Sequence, residues 1–381
     1  MKAARPPMTD RLQAVDESKT TRIFGLAQQL RRQGKEMINL AVGEPDFETP
    51  APVIEATCRA LSEKATRYGP VSGLEVLRSE LATVFDGYGP ENVLITNGAK
   101  QALYSLFQVL CNPEDEVILP RPCWVSFTEQ IKLAGGRPVL VDTVDHQLDL
   151  EALEQAVTER TKILLINTPN NPSGAVYSAE ALAEVARIAR RHNLYLIADE
   201  AYQAFVFDDR RCKPLFDLCG DRQRLITVRS FSKTYAMTGF RIGYVAGPEG
   251  VVRGLLKFQS HLSGNVCTFA QHGALAALKM DQGLVRQRCA VLQQRRDLAY
   301  ALAQDLFGCI KPQGAFYLFP KVDQYLRPNE TSEDLAMRLL QEAGVAVVPG
   351  EAFHQPGHLR ISFGASEADL HAGFERIKDA L

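Results

Sequence analysis

The sequence has no surplus of either charge. Its 43 lysines and arginines stand against 45 aspartates and glutamates, a formal net charge of -2. That balance supplies no general attraction to nucleic acid or to an anionic membrane, so small molecules are the expected partners. No run of about 18 apolar residues occurs anywhere, and the N-terminal stretch MKAARPPMTD lacks the apolar centre of a secretory signal, so a cytoplasmic protein is expected. The eight cysteines, at 58, 111, 123, 212, 219, 267, 289 and 309, form no CxxC pair and show no Cys/His spacing suited to structural zinc. They read as free thiols in a reducing compartment, with no metal. Repeats, low-complexity tracts and long linkers are also missing. Only about 20 residues precede the first helical stretch, too few for a basic helix-turn-helix, which argues against a DNA-binding regulator.

What is present is a regular alternation. Residues 1–10 read as a loose tail. Over residues 20–33, Ile23, Leu26, Ala27 and Leu30 recur at helical spacing and Gly34 follows as a stop. A short strand-like run over 37–42 leads into Gly43-Glu44-Pro45-Asp46-Phe47, which reads as a turn. Helices are expected over 52–63, 74–85, 101–110 and 178–192, and strands over 92–96, 116–119, 137–141, 162–167, 194–198, 225–228 and 241–246. This pattern predicts an α/β fold built on a mainly parallel central sheet flanked by helices. Beyond residue 250 the pattern is mainly helical, then strand-like at 315–319, 345–348 and 359–363. A second, smaller α+β domain is expected there, formed by 1–44 with 279–381, beside a large domain over 45–278.

In parallel sheets ligands sit beyond the carboxyl ends of the strands. Asn97-Gly98, Asn171, Asp199 and Lys233 all fall just past such ends. The stretch Ser230 to Arg241 adds two serine hydroxyls and an arginine around one lysine, a suitable arrangement for a covalently held, phosphorylated group. Asp199 closes an apolar strand, where a carboxylate is costly unless it finds a partner; a helix N-cap is the plainer reading. Gly98 and Ala99 lie at a strand-to-helix junction that favours an anion, although a glycine there is equally read as steric. Arg360, between Leu359 and Ile361, reads either as one half of an internal ion pair or as a ligand's anchor.

Taken in order, Gly43-Glu44-Pro45-Asp46-Phe47, Pro169-Asn170-Asn171-Pro172-Ser173-Gly174, Ser232-Lys233-Thr234-Tyr235 and Leu359-Arg360-Ile361-Ser362 resemble the class I/II aminotransferases of the aspartate-aminotransferase superfamily, bacterial-type branch. The resemblance covers nearly the whole chain. It implies a fold type I enzyme that uses pyridoxal 5'-phosphate to move an amino group from an L-amino acid to a 2-oxo acid, 2-oxoglutarate being the expected acceptor, by a ping-pong sequence. It also implies the residue roles. Lys233 holds the cofactor covalently and carries the proton, Asp199 pairs with the ring nitrogen, and Tyr202 and Asn171 reach the phenolic oxygen. Gly98, Ala99, Ser230, Ser232 and Arg241 surround the phosphate, with Tyr68 arriving from the neighbouring subunit of a homodimer, and Lys100 is a further cofactor-binding residue. Trp124, the only tryptophan, stacks on the ring, a core position being its plainer reading. Arg360 clamps the substrate carboxylate, helped by backbone near Gly43.

Two departures bear on chemistry. Cys123 stands where relatives commonly carry an aromatic, and together with Ser263 to Cys267 it keeps open a β-lyase, oxidase or cyclase of the same fold. A second cation for an acidic donor has Lys100, Lys19 and Arg22 as candidates. Asp16 occupies the place where dicarboxylate-using relatives often carry lysine, which counts against strict acidic specificity.

Overall fold

An eight-stranded sheet organises the computed structural model, which describes residues 8–16, 19–210 and 212–381. In chain order its strands are β1 (Val93–Thr96), β2 (Glu116–Arg121), β3 (Arg137–Val144), β4 (Gln147–Leu148), β5 (Thr161–Asn167), β6 (Tyr195–Asp199), β7 (Leu225–Ser230) and β8 (Gly243–Ala246). Across the sheet they lie in the order β1-β8-β7-β6-β5-β2-β3-β4. β3, β2, β5, β6 and β7 pair in parallel, with crossover helices such as Val125–Leu133 and Ala179–Arg191 between them. Both faces are covered, so successive residues enter opposite cores. Val93, Ile95, Ile118, Leu164 and Ile166 go to one side, and Leu94, Val117, Leu119, Ile163 and Leu165 to the other. Burial on both faces is why these strands are continuous aliphatic runs in the sequence.

β8 departs from the expected pattern. It runs antiparallel to both β7 and β1 and starts at Gly243, whereas the sequence suggested a further step of the alternation from Arg241. The connection from β7 carries only the single turn Phe231–Thr234 and the short 3-10 turn Thr238–Phe240, too little helix to cross a face and return in parallel. Arg241 precedes the strand in the left-handed region at φ 56°.

Most helices lie within two or three residues of their expected spans: Lys19–Arg32, Ala51–Ser62, Glu75–Ala82 and Ala179–Arg191. Gly98–Leu110 starts earlier than expected, because Gly98 at φ 77° opens the helix directly from β1. Of the supposed tail, residues 1–7 lie outside the described residues, and Asp10–Gln13 forms one helical turn.

A third core joins distant segments. Ile23, Ala27, Ile38 and Leu40 pack with Leu292 and Ala299 of the long helix Gly283–Gln304 and with Leu359, Ile361 and Phe374. Ile38–Asn39 pairs in parallel with Val345–Ala346, and Leu359–Ser362 pairs antiparallel with Tyr317–Leu318 and Val348–Pro349. The C-terminal strands are shorter than the apolar runs that foretold them. All eight cysteines are unpaired thiols. Among the described residues no helix is long and apolar enough to cross a membrane.

Beside the end of β6 lies a buried ion pair. Glu200 accepts from Arg229 Nε at 2.8 Å and from the Leu215 amide at 3.1 Å, with both charged side chains almost out of solvent. Removing one partner strands the other charge, so Glu200→Ala should lose about 3–5 kcal/mol of stability. Its urea midpoint should fall with the slope unchanged; a midpoint equal to the parent's refutes this.

Candidate active site

At the carboxyl ends of β5, β6 and β7 a pocket opens, and it gathers Ala99, Lys100, Trp124, Asn171, Asp199, Tyr202, Ser230, Ser232, Lys233 and Arg241. All ten come from the sequence expectation. Asn167 and Ala201 also line it and were not foreseen. Asn167 closes β5 as a polar residue after an aliphatic run, the same signal that marked Asp199. Its Oδ1 accepts from the Asn171 amide at 3.0 Å and its Nδ2 donates to the Asp199 carbonyl at 3.1 Å.

One wall is a ring of hydrogen-bond donors. The 13-residue helix Gly98–Leu110 points its N-terminus, with its free amides, at the pocket. Ser230 and Ser232 face the same space, and the Ser230 hydroxyl accepts the Ser232 amide at 3.1 Å. A Cβ on Gly98 would lie 2.7 Å from Arg241 Nη2, so glycine is what lets the guanidinium close against the helix start. Such a cup fits a phosphate.

Opposite in character is Asp199. It is buried, and its carboxyl is pushed up to about 7 by that burial, opposed by one hydrogen bond from the Ala201 amide at 3.2 Å. Among the described residues no cation pairs with it. A carboxylate so placed suits a ligand that brings its own protonated nitrogen. Lys233 is drawn the other way, down to about 8, chiefly by burial, with Arg241 and Arg360 adding repulsion and Glu44 opposing. Its Nζ donates to the Gly43 carbonyl. An amine held near neutrality is a nucleophile at ordinary pH.

Arg360 is buried beside the pocket and has no acidic partner among the described residues. Nη1 donates to Asn171 Oδ1 at 3.0 Å and Nη2 to the Ala41 carbonyl at 2.7 Å, while Nε has none among the described residues. Its guanidinium lies 4.3 Å over the ring of Tyr317, a residue no motif pointed to. The Tyr317 hydroxyl is 3.0 Å from that of Tyr202, and a Cβ on Gly43 would stand 3.3 Å from it.

Phosphate cup, unpartnered carboxylate and near-neutral lysine together match a heterocyclic aldehyde phosphate. Comparison with known proteins agrees. The model for "Aminotransferase class I and II" matches residues 35–377. The chain belongs to this family. Its curated relatives include the aspartate aminotransferase of Streptomyces avermitilis, 40% identical over 100% of this chain and 99% of that one. That of Bacillus subtilis is 36% identical over 97% and 98%. Among solved structures, the aspartate aminotransferase from Thermus thermophilus with maleate superposes with a TM-score of 0.93, at 38% identity, over 99% of this chain and 100% of that one. The protein is an aminotransferase of α/β fold type I, and its cofactor is pyridoxal phosphate.

Other expected residues lie elsewhere. Tyr68 is 99% exposed and does not enter this chain's pocket. Arg22 is exposed and pairs with Glu333 at 3.4 Å. The Lys19 side chain is outside the described residues. Asp16 is also outside the pocket, its amide donating to Glu129 at 3.0 Å. Cys123 is buried beside a small cavity it lines with Leu119, Phe127, Asn170 and Tyr177; burial pushes its thiol up to about 12, so it stays protonated. Neither it nor Ser263 to Cys267 lines the pocket. Among the described residues no cluster of histidine, cysteine and carboxylate could hold a metal.

The Asp199 environment sets a pH dependence. An unfolded aspartate loses its proton near 4 and the folded one only near 7, so in cofactor-free protein ionisation of Asp199 works against the fold as pH rises between those values. Cofactor-free Asp199→Asn should therefore gain thermal stability over the parent at pH 8 and gain none at pH 4. Equal differences at both pH values would contradict the burial argument.

Proposed function

We propose that this aminotransferase moves the amino group of an acidic L-amino acid, of the aspartate and glutamate class, to a 2-oxo acid such as 2-oxoglutarate, in two half-reactions. The observation that carries the reading is a surplus of positive charge. Lys100, Lys233 and Arg241 line the pocket and Arg360 lies beside it, against two carboxylates among the described residues, the buried Asp199 and Glu44, which acts on Lys233. Arg241 is assigned to the cofactor phosphate, Lys233 to the covalent step, and Arg360 to the substrate α-carboxylate. Lys100 is left for a second carboxylate. Burial and the nearby Arg241 lower its pKa, so an added anion there regains what desolvation cost. The maleate in the Thermus structure is a dicarboxylate, in keeping with this assignment.

When bound, pyridoxal phosphate supplies an electron sink for the bonding pair left at the substrate's Cα. The chain's own residues do the rest. Asp199 would hold the proton of the ring nitrogen, Trp124 would pack on the ring face, and Asn171 and Tyr202 would offer donors to the ring oxygen. Arg360 receives the α-carboxylate through a planar fork whose Nε is otherwise unsatisfied, which orients the Cα–H bond. With its amine free, Lys233 Nζ would accept the Cα proton and return it to the former aldehyde carbon of the cofactor, on the far side of the transferred nitrogen. Its lowered pKa keeps a usable neutral fraction at physiological pH.

The same reading extends to assembly. Residues 45–278 serve as the cofactor-binding domain, and 1–44 with 279–381 as the smaller domain that carries Arg360. The exposed Tyr68 reaches the phosphate of a neighbouring copy in a cytoplasmic homodimer, a role its 99% exposure supports.

Lys233→Ala should lower turnover with aspartate and 2-oxoglutarate by more than about 10³-fold; retention of full turnover removes the role of Lys233. Lys100→Ala tests the donor class. Its kcat/KM should fall by about 10- to 100-fold for aspartate and little for alanine or leucine, the loss of one charge-assisted contact. An equal loss for all donors assigns Lys100 to the cofactor alone.

A further inference from the structure

Tyr317 lies in the short strand Tyr317–Leu318, fully buried, and meets the site through its hydroxyl. That hydroxyl has one partner among the described residues, the hydroxyl of Tyr202 at 3.0 Å. Burial raises both phenols above their usual range, so each is neutral and brings one proton to the contact. Asn171 restricts where those protons go. Its Oδ1 accepts from Arg360, which turns its Nδ2 toward the Tyr202 oxygen, 3.5 Å away. Asn171 therefore approaches Tyr202 as a donor.

Two arrangements of the phenol pair remain. If Tyr202 donates to Tyr317, the Tyr317 proton is buried without an acceptor, and the Tyr202 proton points away from the pocket. If Tyr317 donates to Tyr202, its own proton is satisfied and the Tyr202 proton is released toward the pocket that Tyr202 lines. Stranding a buried donor is the costlier choice.

We propose that Tyr317 is a positioning residue for amino transfer: by donating to Tyr202 it fixes the Tyr202 hydroxyl as a donor into the cofactor cavity. The inference rests on Tyr202 facing the cofactor's ring oxygen, as assigned above. A donor at that oxygen favours its anionic form and so lowers the pKa at which the bound cofactor changes its visible absorbance. Tyr317 strengthens this donor, because a hydroxyl that accepts one hydrogen bond becomes polarised toward giving another.

Tyr317→Phe keeps the ring beneath Arg360 and removes only the proton donor. In the holoenzyme its absorbance midpoint should rise by about 0.4 to 1 pH unit, the size of one weakened hydrogen bond, with the donor KM unchanged. Tyr202→Phe should raise the midpoint at least as far, and adding Tyr317→Phe to it should shift it no further. A shift in Tyr202→Phe without one in Tyr317→Phe overturns the role of Tyr317 and leaves the site assignment standing. Absence of a shift in both overturns the two together. An undiminished extra shift in the double variant also overturns the proposal, since Tyr317 would then act without Tyr202.

Discussion

Gly243 is wedged where three parts of the site meet, and the close approach it permits is the constraint on which the others rest. A Cβ there would stand 2.7 Å from the Ala99 amide nitrogen and 2.8 Å from the Arg229 carbonyl oxygen, both backbone atoms unable to move aside. Without that atom β8 lies between β1 and β7, running against both. The helix start after β1, the lysine after β7 and the arginine before β8 are thereby brought to one point. Antiparallel insertion of a single strand thus does what a further parallel crossover could not: it presents both ends of a short connection to the same ligand.

The charges assembled there are individually unfavourable. Among the described residues Asp199 is buried without a cation, Lys233 is buried among other cations, and Arg360 spends its fork on neutral oxygens with Nε left over. Under the proposed function each would be completed by something the chain does not contain: a protonated ring nitrogen, an aldehyde, a carboxylate. Neighbouring structure bears the cost through a conventional buried pair, Glu200 with Arg229, and through dense aliphatic packing on both faces of the sheet. Strain of this electrostatic kind is also what gives the pocket its affinity, since a ligand that satisfies the groups restores what their desolvation removed.

Much of this was legible in the sequence, for a physical reason. Strands buried on both faces must be continuous aliphatic runs, so polar residues at or just past their ends are conspicuous: Asp199 closes one run, and Asn171 and Lys233 fall shortly after two others. Tyr317 escaped because it sits in the apolar run Ala315 to Phe319, where a phenol looks like one more packed aromatic. Asn167 carried the same signal as Asp199 and was passed over. Cys123 invited a chemical reading that its burial removes, since a thiol pushed up to about 12 is a packing residue. Arg22 looked like a spare cation until its pairing with Glu333 became visible.

Local chemistry alone determined the α/β alternation, the helix spans to within a turn and the residue types able to hold a covalently bound, phosphorylated group, because periodicity and turn chemistry act between residues close in the chain. The direction of β8, the contact of Gly43 with Tyr317 and Lys233, and the pairing of Tyr202 with Tyr317 were decided only by tertiary structure. Each joins segments far apart in sequence, and whether such atoms meet depends on packing geometry that no local pattern records.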